Sequence, residues 1–511
     1  MNHESMRDIS VPFKIPSEAI SLPTRGATVT KCTLFHEGDM DPEPFSKLYG
    51  LTFTADVYRI EGVIHSVDLH APDIHFEAGM PVNWNGKVIQ QGGAGINGYV
   101  PPCTMNLHGQ DRENSALKQG YVVFGSDSGH TYINGNMMDC SWALNQECFE
   151  NFAYVSLKKT KDTVMYLAEL FYGEKPKRVY FYGGSNGGRE CMKAVQNYPG
   201  DYDGAVCFYP VLYWVLKVLM DARNAEILEQ IGQAGWIGEE TDRQILKATM
   251  DLCDGLDGAL DGVISDSKAA AKKQGEVLKA VKKIVSGEQY QMLETLALPM
   301  TLPFPLAYGE VSLPGYQVFE GASSLFHFEF LNMAHDAGAV SISDSLIANV
   351  FAQDPDFDTR RFEPQEWRER IQEISRWMDA YSTDLDAFAK KGGKMILVQG
   401  TVDPQVTSYG TIWFYEKLLK KYGKERLDSF LKFYLAPGYG HGADGTFLIT
   451  SDFLGALDRW VEKEQVPKTM IVKDIHPDTK GRTRPLYEYP GYPYYAGAGD
   501  IDRAESYFRK E

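Results

Sequence analysis

The chain has 511 residues, 43% of them hydrophobic and 12% aromatic, with a formal net charge of −18. That composition suits a globular protein with a large core and room for an insertion or second domain. It leaves no basic excess for phosphates, so neither a nucleic-acid nor an anionic-membrane partner is expected, and no apolar run reaches membrane-span length.

The first twenty residues lack the basic region and apolar core of a secretory leader. Seven cysteines are scattered without CxxC or metal-type spacing. They read as reduced thiols of a cytoplasmic protein; the alternative is a secreted form without its leader. Residues 1–45 are weakly patterned, and short alternating segments follow from Phe53. Residues 87–91 (KVIQQ) predict a strand, which discharges into Gly92-Gly93-Ala94-Gly95-Ile96-Asn97-Gly98. Glycine at that density means that the backbone itself approaches something closely. The loop is out of register for G-x-G-x-x-G and has no acidic partner at the right distance, which argues against a dinucleotide site. Residues 121–127 predict a buried strand, 150–172 a helix and 179–182 another strand, an order that implies a parallel sheet.

Residues 211–385 are mainly helical in pattern, for example 215–231, 242–251 and 267–285, with Pro/Gly-rich loops at 298–321. The α/β alternation then resumes with a strand at 394–398, a helix at 410–422 and a strand at 430–435. The expected fold is α/β, an α/β-hydrolase fold. Residues 1–210 and 386–511 form its catalytic domain, and 211–385 form a helical lid inserted after the nucleophile-bearing half.

The chemistry centres on Gly183-Gly184-Ser185-Asn186-Gly187. It follows an apolar strand and precedes a helical segment, the setting of the G-x-S-x-G nucleophile elbow. A serine hydroxyl needs a histidine to take its proton and a carboxylate to hold that histidine. In α/β-hydrolases these come in the order Ser, Asp or Glu, His, on loops after successive strands. Asp403 follows the 394–398 strand and His441 follows the 430–435 strand, in Gly-rich loops; Asp444 is a competing carboxylate. A separate signal lies in residues 254–262, DGLDGALDG. Asp254, Asp257 and Asp261 stand three and four apart, so that a short loop can wrap hard oxygens around Ca²⁺. The simpler reading is an acidic turn.

Collinear segments resemble the tannase/feruloyl esterase family of α/β-hydrolases. They are residues 76–98, the GYVVFGSDSGH of 120–130, the SNGGRECMKAVQNYPGDYDGAV of 185–206, the acidic loop, 401–442, and the closing RPLYEYP with 497–500. The resemblance implies Ser185 as nucleophile, His441 as base, Asp403 as its orienting carboxylate, and an oxyanion hole from the backbone N–H groups of Gly93 and Asn186. It implies a structural Ca²⁺ in the lid, held by Asp254, Asp257 and Asp261 with backbone oxygens of Ala259 and Val263, and no organic cofactor. The family usually carries a disulfide-forming cysteine before the nucleophile and another after the histidine. Here those positions are Gly184 and Gly442, and Cys253 has no evident partner.

The implied activity is a serine carboxylesterase for esters of gallate- or hydroxycinnamate-type aromatic acids, acting as a monomer or homodimer. The alternatives are an esterase or peptidase of another substrate class, or a non-catalytic binding protein. Trp214, Phe326, Phe328, Phe330, Arg360 and Arg361 are the candidate substrate contacts in the lid.

Overall fold

The structure is a computed structural model and describes residues 11–132, 136–324 and 342–511. Ten strands form the main sheet. The first eight are β1 (Phe13–Ile15), β2 (Ala27–Phe35), β3 (Val57–Ile64), β4 (Ile74–Pro81), β5 (Lys87–Gln91), β6 (Val122–Ser126), β7 (Arg178–Gly184) and β8 (Gly204–Phe208). The strands Lys394–Gly400 and Leu431–Ala436 complete it, in spatial order β1-β2-β3-β4-β6-β5-β7-β8-(394–400)-(431–436). From β6 onward neighbours run parallel, whereas β1 to β4 are antiparallel and β4 meets β6 antiparallel. The parallel strands are apolar and buried along nearly their whole length, as strands covered by helices on both faces must be.

Register decides where chemistry can gather. Gly184 pairs with Phe208, Phe208 with Val398, and Gly400 with Ala436. The loops after β7, β8 and the last two strands therefore open on one edge, the C-terminal edge where open α/β sheets bind ligands. The helices Ser156–Tyr172 and Asn186–Asn197 lead into and out of β7.

Residues 1–45 carry more structure than their pattern suggests, because β2 lies there. Its central residues are exposed and a bulge falls between Val29 and Lys31, which breaks the alternation that marks a strand. Between β8 and Lys394 the described residues are mainly helical: Trp214–Ile231, Glu239–Cys253, Ser267–Val281, Gly287–Ala297 and Arg368–Met378, with one two-stranded ribbon, Met300–Thr301 against Ser312–Leu313. This insertion is not packed separately. Trp214, Val215, Leu219 and Ile374 share one apolar cluster with Phe181, Met395 and Leu397 of the sheet. The N–H of Val215 also donates to the buried Asp379 carboxylate at 3.0 Å. No described helix is long and apolar enough to cross a membrane.

Leu397 is fully buried and pairs with Cys207 and Phe433. Leu397→Ala is expected to cost about 2–5 kcal/mol, from lost transfer energy plus the cavity left behind. The midpoint of urea unfolding checks it, and a cost under about 1 kcal/mol would contradict this packing.

Candidate active site

Ser185 sits at φ 60°, ψ −125°, backbone that a non-glycine residue holds only when its surroundings impose it. The surroundings here are backbone. A Cβ on Gly92 would lie 2.5 Å from Gly187 Cα, and one on Gly187 would lie 2.5 Å from Gly93 O. The Gly-rich loop after β5 thus presses on the first turn of the helix Asn186–Asn197. This is the close approach that its glycines anticipate. The N–H of Ser185 donates to Phe208 O at 3.2 Å and its carbonyl accepts from Val211 N–H at 3.3 Å, which binds the elbow to the chain leaving β8.

The same contact fixes the direction of one backbone donor. The N–H of Gly93, expected to face an oxyanion, donates instead to Glu190 Oε2 at 2.9 Å in this structure. The N–H of Asn186 begins its helix and lies outside the helical hydrogen-bond ladder. Glu190 also accepts from Asn97 Nδ2, while Asn97 Oδ1 accepts from Asn186 Nδ2 at 3.1 Å and Arg189 Nε donates to Asn186 Oδ1 at 2.6 Å. Burial raises the Glu190 carboxyl above its ordinary range, against the pull of Arg189 and its N–H partners. Sequence reasoning passed over Glu190, Arg189 and Asn97. The only available signal was an adjacent charged pair, Arg189-Glu190, in the first turn after the elbow.

The partner loops meet as the register requires. His441 Nδ1 lies 2.9 Å from Asp403 Oδ2 and 3.0 Å from Oδ1. Asp403 is fully buried. The N–H groups of Gln405 and Val406 each donate to its Oδ1 at 2.8 Å, and Gln399 Nε2 donates to Oδ2 at 3.2 Å. A carboxylate so held is fixed in orientation and aimed at one imidazole nitrogen. Asp444 does a different job. Its carboxylate accepts the backbone N–H of His441 and its carbonyl accepts that of Gly440, so it shapes the loop and does not orient the ring.

A model of tannase and feruloyl esterase sequences matches residues 58–510. The chain belongs to the tannase and feruloyl esterase family. It is 36% identical to an uncharacterized esterase of Agrobacterium fabrum, over 96% of this chain and 91% of the relative. It is 26% identical to the mono(2-hydroxyethyl) terephthalate hydrolase of Piscinibacter sakaiensis, over 85% and 81%. The crystal structure of feruloyl esterase B from Aspergillus oryzae superposes with a TM-score of 0.77 at 22% identity, covering 96% of this chain and 98% of that one. The fold is accordingly α/β-hydrolase-like, a mixed sheet with helices, and the protein is a carboxylic ester hydrolase of this family.

The acidic loop is folded around its own backbone. Asp254 Oδ1 accepts from Gly262 N–H at 3.0 Å, Asp257 from Ala259 and Ser265 at 3.1 and 2.8 Å, and Asp261 Oδ1 from Val263 at 3.0 Å. The C-terminal segment closes over it. Arg484 pairs with Asp261 Oδ2, Tyr507 Oη donates to the same oxygen at 3.1 Å, and Arg482 Nη1 donates to Asp261 O at 2.8 Å. Burial pushes Asp257 up to about 6, and raises Asp254 with help from the charge of Asp261. These donors are hard oxygens, which fit a hard dication. Among the described residues, however, no three carboxylate, histidine or cysteine side chains converge at metal-binding separation.

All seven cysteines are free. Of the candidate contacts named above in the insertion, Trp214 is buried against Phe351, ring centroids 6.3 Å apart, and serves the core. Arg360 is exposed and pairs with Asp358. Phe326, Phe328 and Phe330 lie outside the described residues. A cleft of about 1300 Å³ runs between the helix Trp214–Ile231 and residues 344–364, but Ser185, Asp403 and His441 do not line it.

Replacing Glu190 by Ala would leave the buried donors of Gly93 and Asn97 without an acceptor. Each costs about 1–3 kcal/mol, so Glu190→Ala is expected to lower the urea midpoint clearly, and an unchanged midpoint would show that neither bond contributes.

Proposed function

We propose that this chain hydrolyses esters of aromatic acids through Ser185, His441 and Asp403. The observation that carries the reading is the His441–Asp403 pair, whose carboxylate is buried and locked by two N–H donors. With Nδ1–H given to Asp403, Nε2 is left with the lone pair that takes the proton of Ser185 Oγ. Attack on the ester carbonyl forms a tetrahedral oxyanion, which the N–H of Asn186 meets at the positive end of its helix. Collapse returns the proton to the departing alcohol and leaves an acyl-Ser185. Water, deprotonated by the same imidazole, then releases the acid. The helical insertion, residues 211–385, acts as the lid that selects the acyl group. The aromatic class is supported by the relatives, whose names specify feruloyl and terephthalate esters.

The test is turnover of methyl gallate, methyl ferulate, chlorogenate and simple aliphatic esters, each with wild type, Ser185→Ala and Asp403→Asn. Aromatic esters should be preferred, Ser185→Ala should be inactive, and Asp403→Asn should lose on the order of 10⁴ in kcat by analogy with serine proteases. Equal rates in wild type and Ser185→Ala would refute the nucleophile, and preference for aliphatic esters would refute the substrate class.

We also propose that Ca²⁺ braces the lid through Asp254, Asp257 and Asp261 with the carbonyls of Ala259 and Val263. It would share Asp261 with Arg484, and it would relieve the burial and repulsion that raise Asp254 and Asp257. EDTA should then lower the melting temperature, and added Ca²⁺ should restore it. An unchanged melting curve together with a metal-free elemental analysis would assign the loop to Arg484 alone.

A further inference from the structure

Gly184 and Gly442 flank Ser185 and His441, and the space beside both is filled from elsewhere in the chain. A Cβ on Gly184 would lie 2.7 Å from His108 Cδ2 and 2.9 Å from Tyr209 Cε2; one on Gly442 would lie 3.0 Å from Tyr209 Oη. These two side chains are joined, with Tyr209 Oη 2.7 Å from His108 Nδ1. The Tyr209 ring lies against the His441 imidazole, centroids 4.4 Å apart and planes tilted by 43°. It also meets the His108 ring edge-on at 5.5 Å, and the rings of Phe208 and Tyr439 at 5.8 and 6.0 Å.

Both partners are anchored to the sheet. The N–H of Tyr209 donates to Val398 O at 2.7 Å, and the His108 carbonyl accepts from Tyr182 Oη at 2.6 Å. Burial and the nearby His441 push His108 down to about 4, so near neutral pH its ring is uncharged and one nitrogen is free to accept. Burial holds the Tyr209 hydroxyl well above its ordinary range, so it remains a donor. One face of the base is therefore set by an aromatic ring, which its O–H···N bond to His108 and its contacts with Tyr439 and Phe208 hold in place.

We propose that His108 and Tyr209 form a positioning pair, a non-covalent clamp that fixes the Ser185 elbow and the His441 loop at the separation proton transfer requires. The pair touches the base but takes no proton from substrate. The proposal rests on the triad reading above. Its logic is geometric: the imidazole is tethered at Nδ1 by Asp403, and one hydrogen bond leaves a ring free to swing about that contact unless a second surface stops it.

The experiment compares Tyr209→Phe, His108→Ala, His108→Gln and the double variant Tyr209→Phe/His108→Ala in p-nitrophenyl acetate turnover, with thermal melting of each. Tyr209→Phe and His108→Ala should each lower kcat by about 10- to 100-fold with KM nearly unchanged, the scale expected of a small misplacement. The double variant should be no slower than the slower single, because both remove one bond. His108→Gln, which keeps an acceptor, should recover most of the rate. Wild-type kcat in Tyr209→Phe, multiplicative losses in the double variant, or losses that merely follow melting temperature or KM would overturn the proposal. If Tyr209→Phe fails to fold, His108→Ala against His108→Gln decides, and equal rates in those two would overturn it. Ser185→Ala run alongside separates the readings: activity there would sink the triad, while an inactive Ser185→Ala beside an unaffected Tyr209→Phe would sink only the clamp.

Discussion

With no side chain at Gly92 or Gly187, two stretches of backbone pass at a distance that any Cβ would forbid. That contact lets the loop after β5 settle on the helix that starts at Asn186, and the helix in turn supports Ser185 in a conformation it would not choose alone. Everything at the site is referred to this junction. Glu190 turns it into a network by reaching from the helix to Gly93 and Asn97. The elbow is therefore held by close packing and buried hydrogen bonds, and its rigidity does not depend on a covalent link.

Charge is arranged with the same economy. Asp403 is buried, and its oxygens are met by N–H donors and one imidazole, so the carboxylate is fixed in direction. Glu190 is equally buried but works through Arg189 and the loop, away from the base. Two buried carboxylates near one serine thus have separate contacts: one meets the His441 imidazole, and the other secures the backbone of the neighbouring loop. His108 adds an imidazole that burial keeps uncharged and that works as a hydrogen-bond acceptor.

Much of this is legible in the sequence. The strands β5, β7 and 394–400 are short apolar runs bounded by turn residues, and the elbow announces itself through glycines that only a tight turn needs. The helices of the insertion were legible from their period, with ends displaced by a few residues. Three things were not. β2 hides because a bulge and exposed central residues break its alternation. The direction of the Gly93 N–H is a matter of which buried acceptor lies nearest, and Glu190 is far from it in sequence. The choice between Asp403 and Asp444 turns on which carboxylate faces a ring nitrogen and which faces a backbone N–H, while in sequence both are simply aspartates in loops after late strands. Gly184 and Gly442 show the limit most clearly. The sequence reveals that two side chains are missing, and only the fold reveals that a tyrosine and a histidine 101 positions apart fill the gap.

The strap over the acidic loop has a consequence in time. Tyr507 bonds to Asp261 across 246 positions. At a synthesis rate of about 5–20 residues per second, roughly 12–50 s separate the appearance of the two on the ribosome. Arg484 arrives only slightly sooner. Through that interval the three aspartates stand without the guanidinium that faces Asp261 in the finished fold.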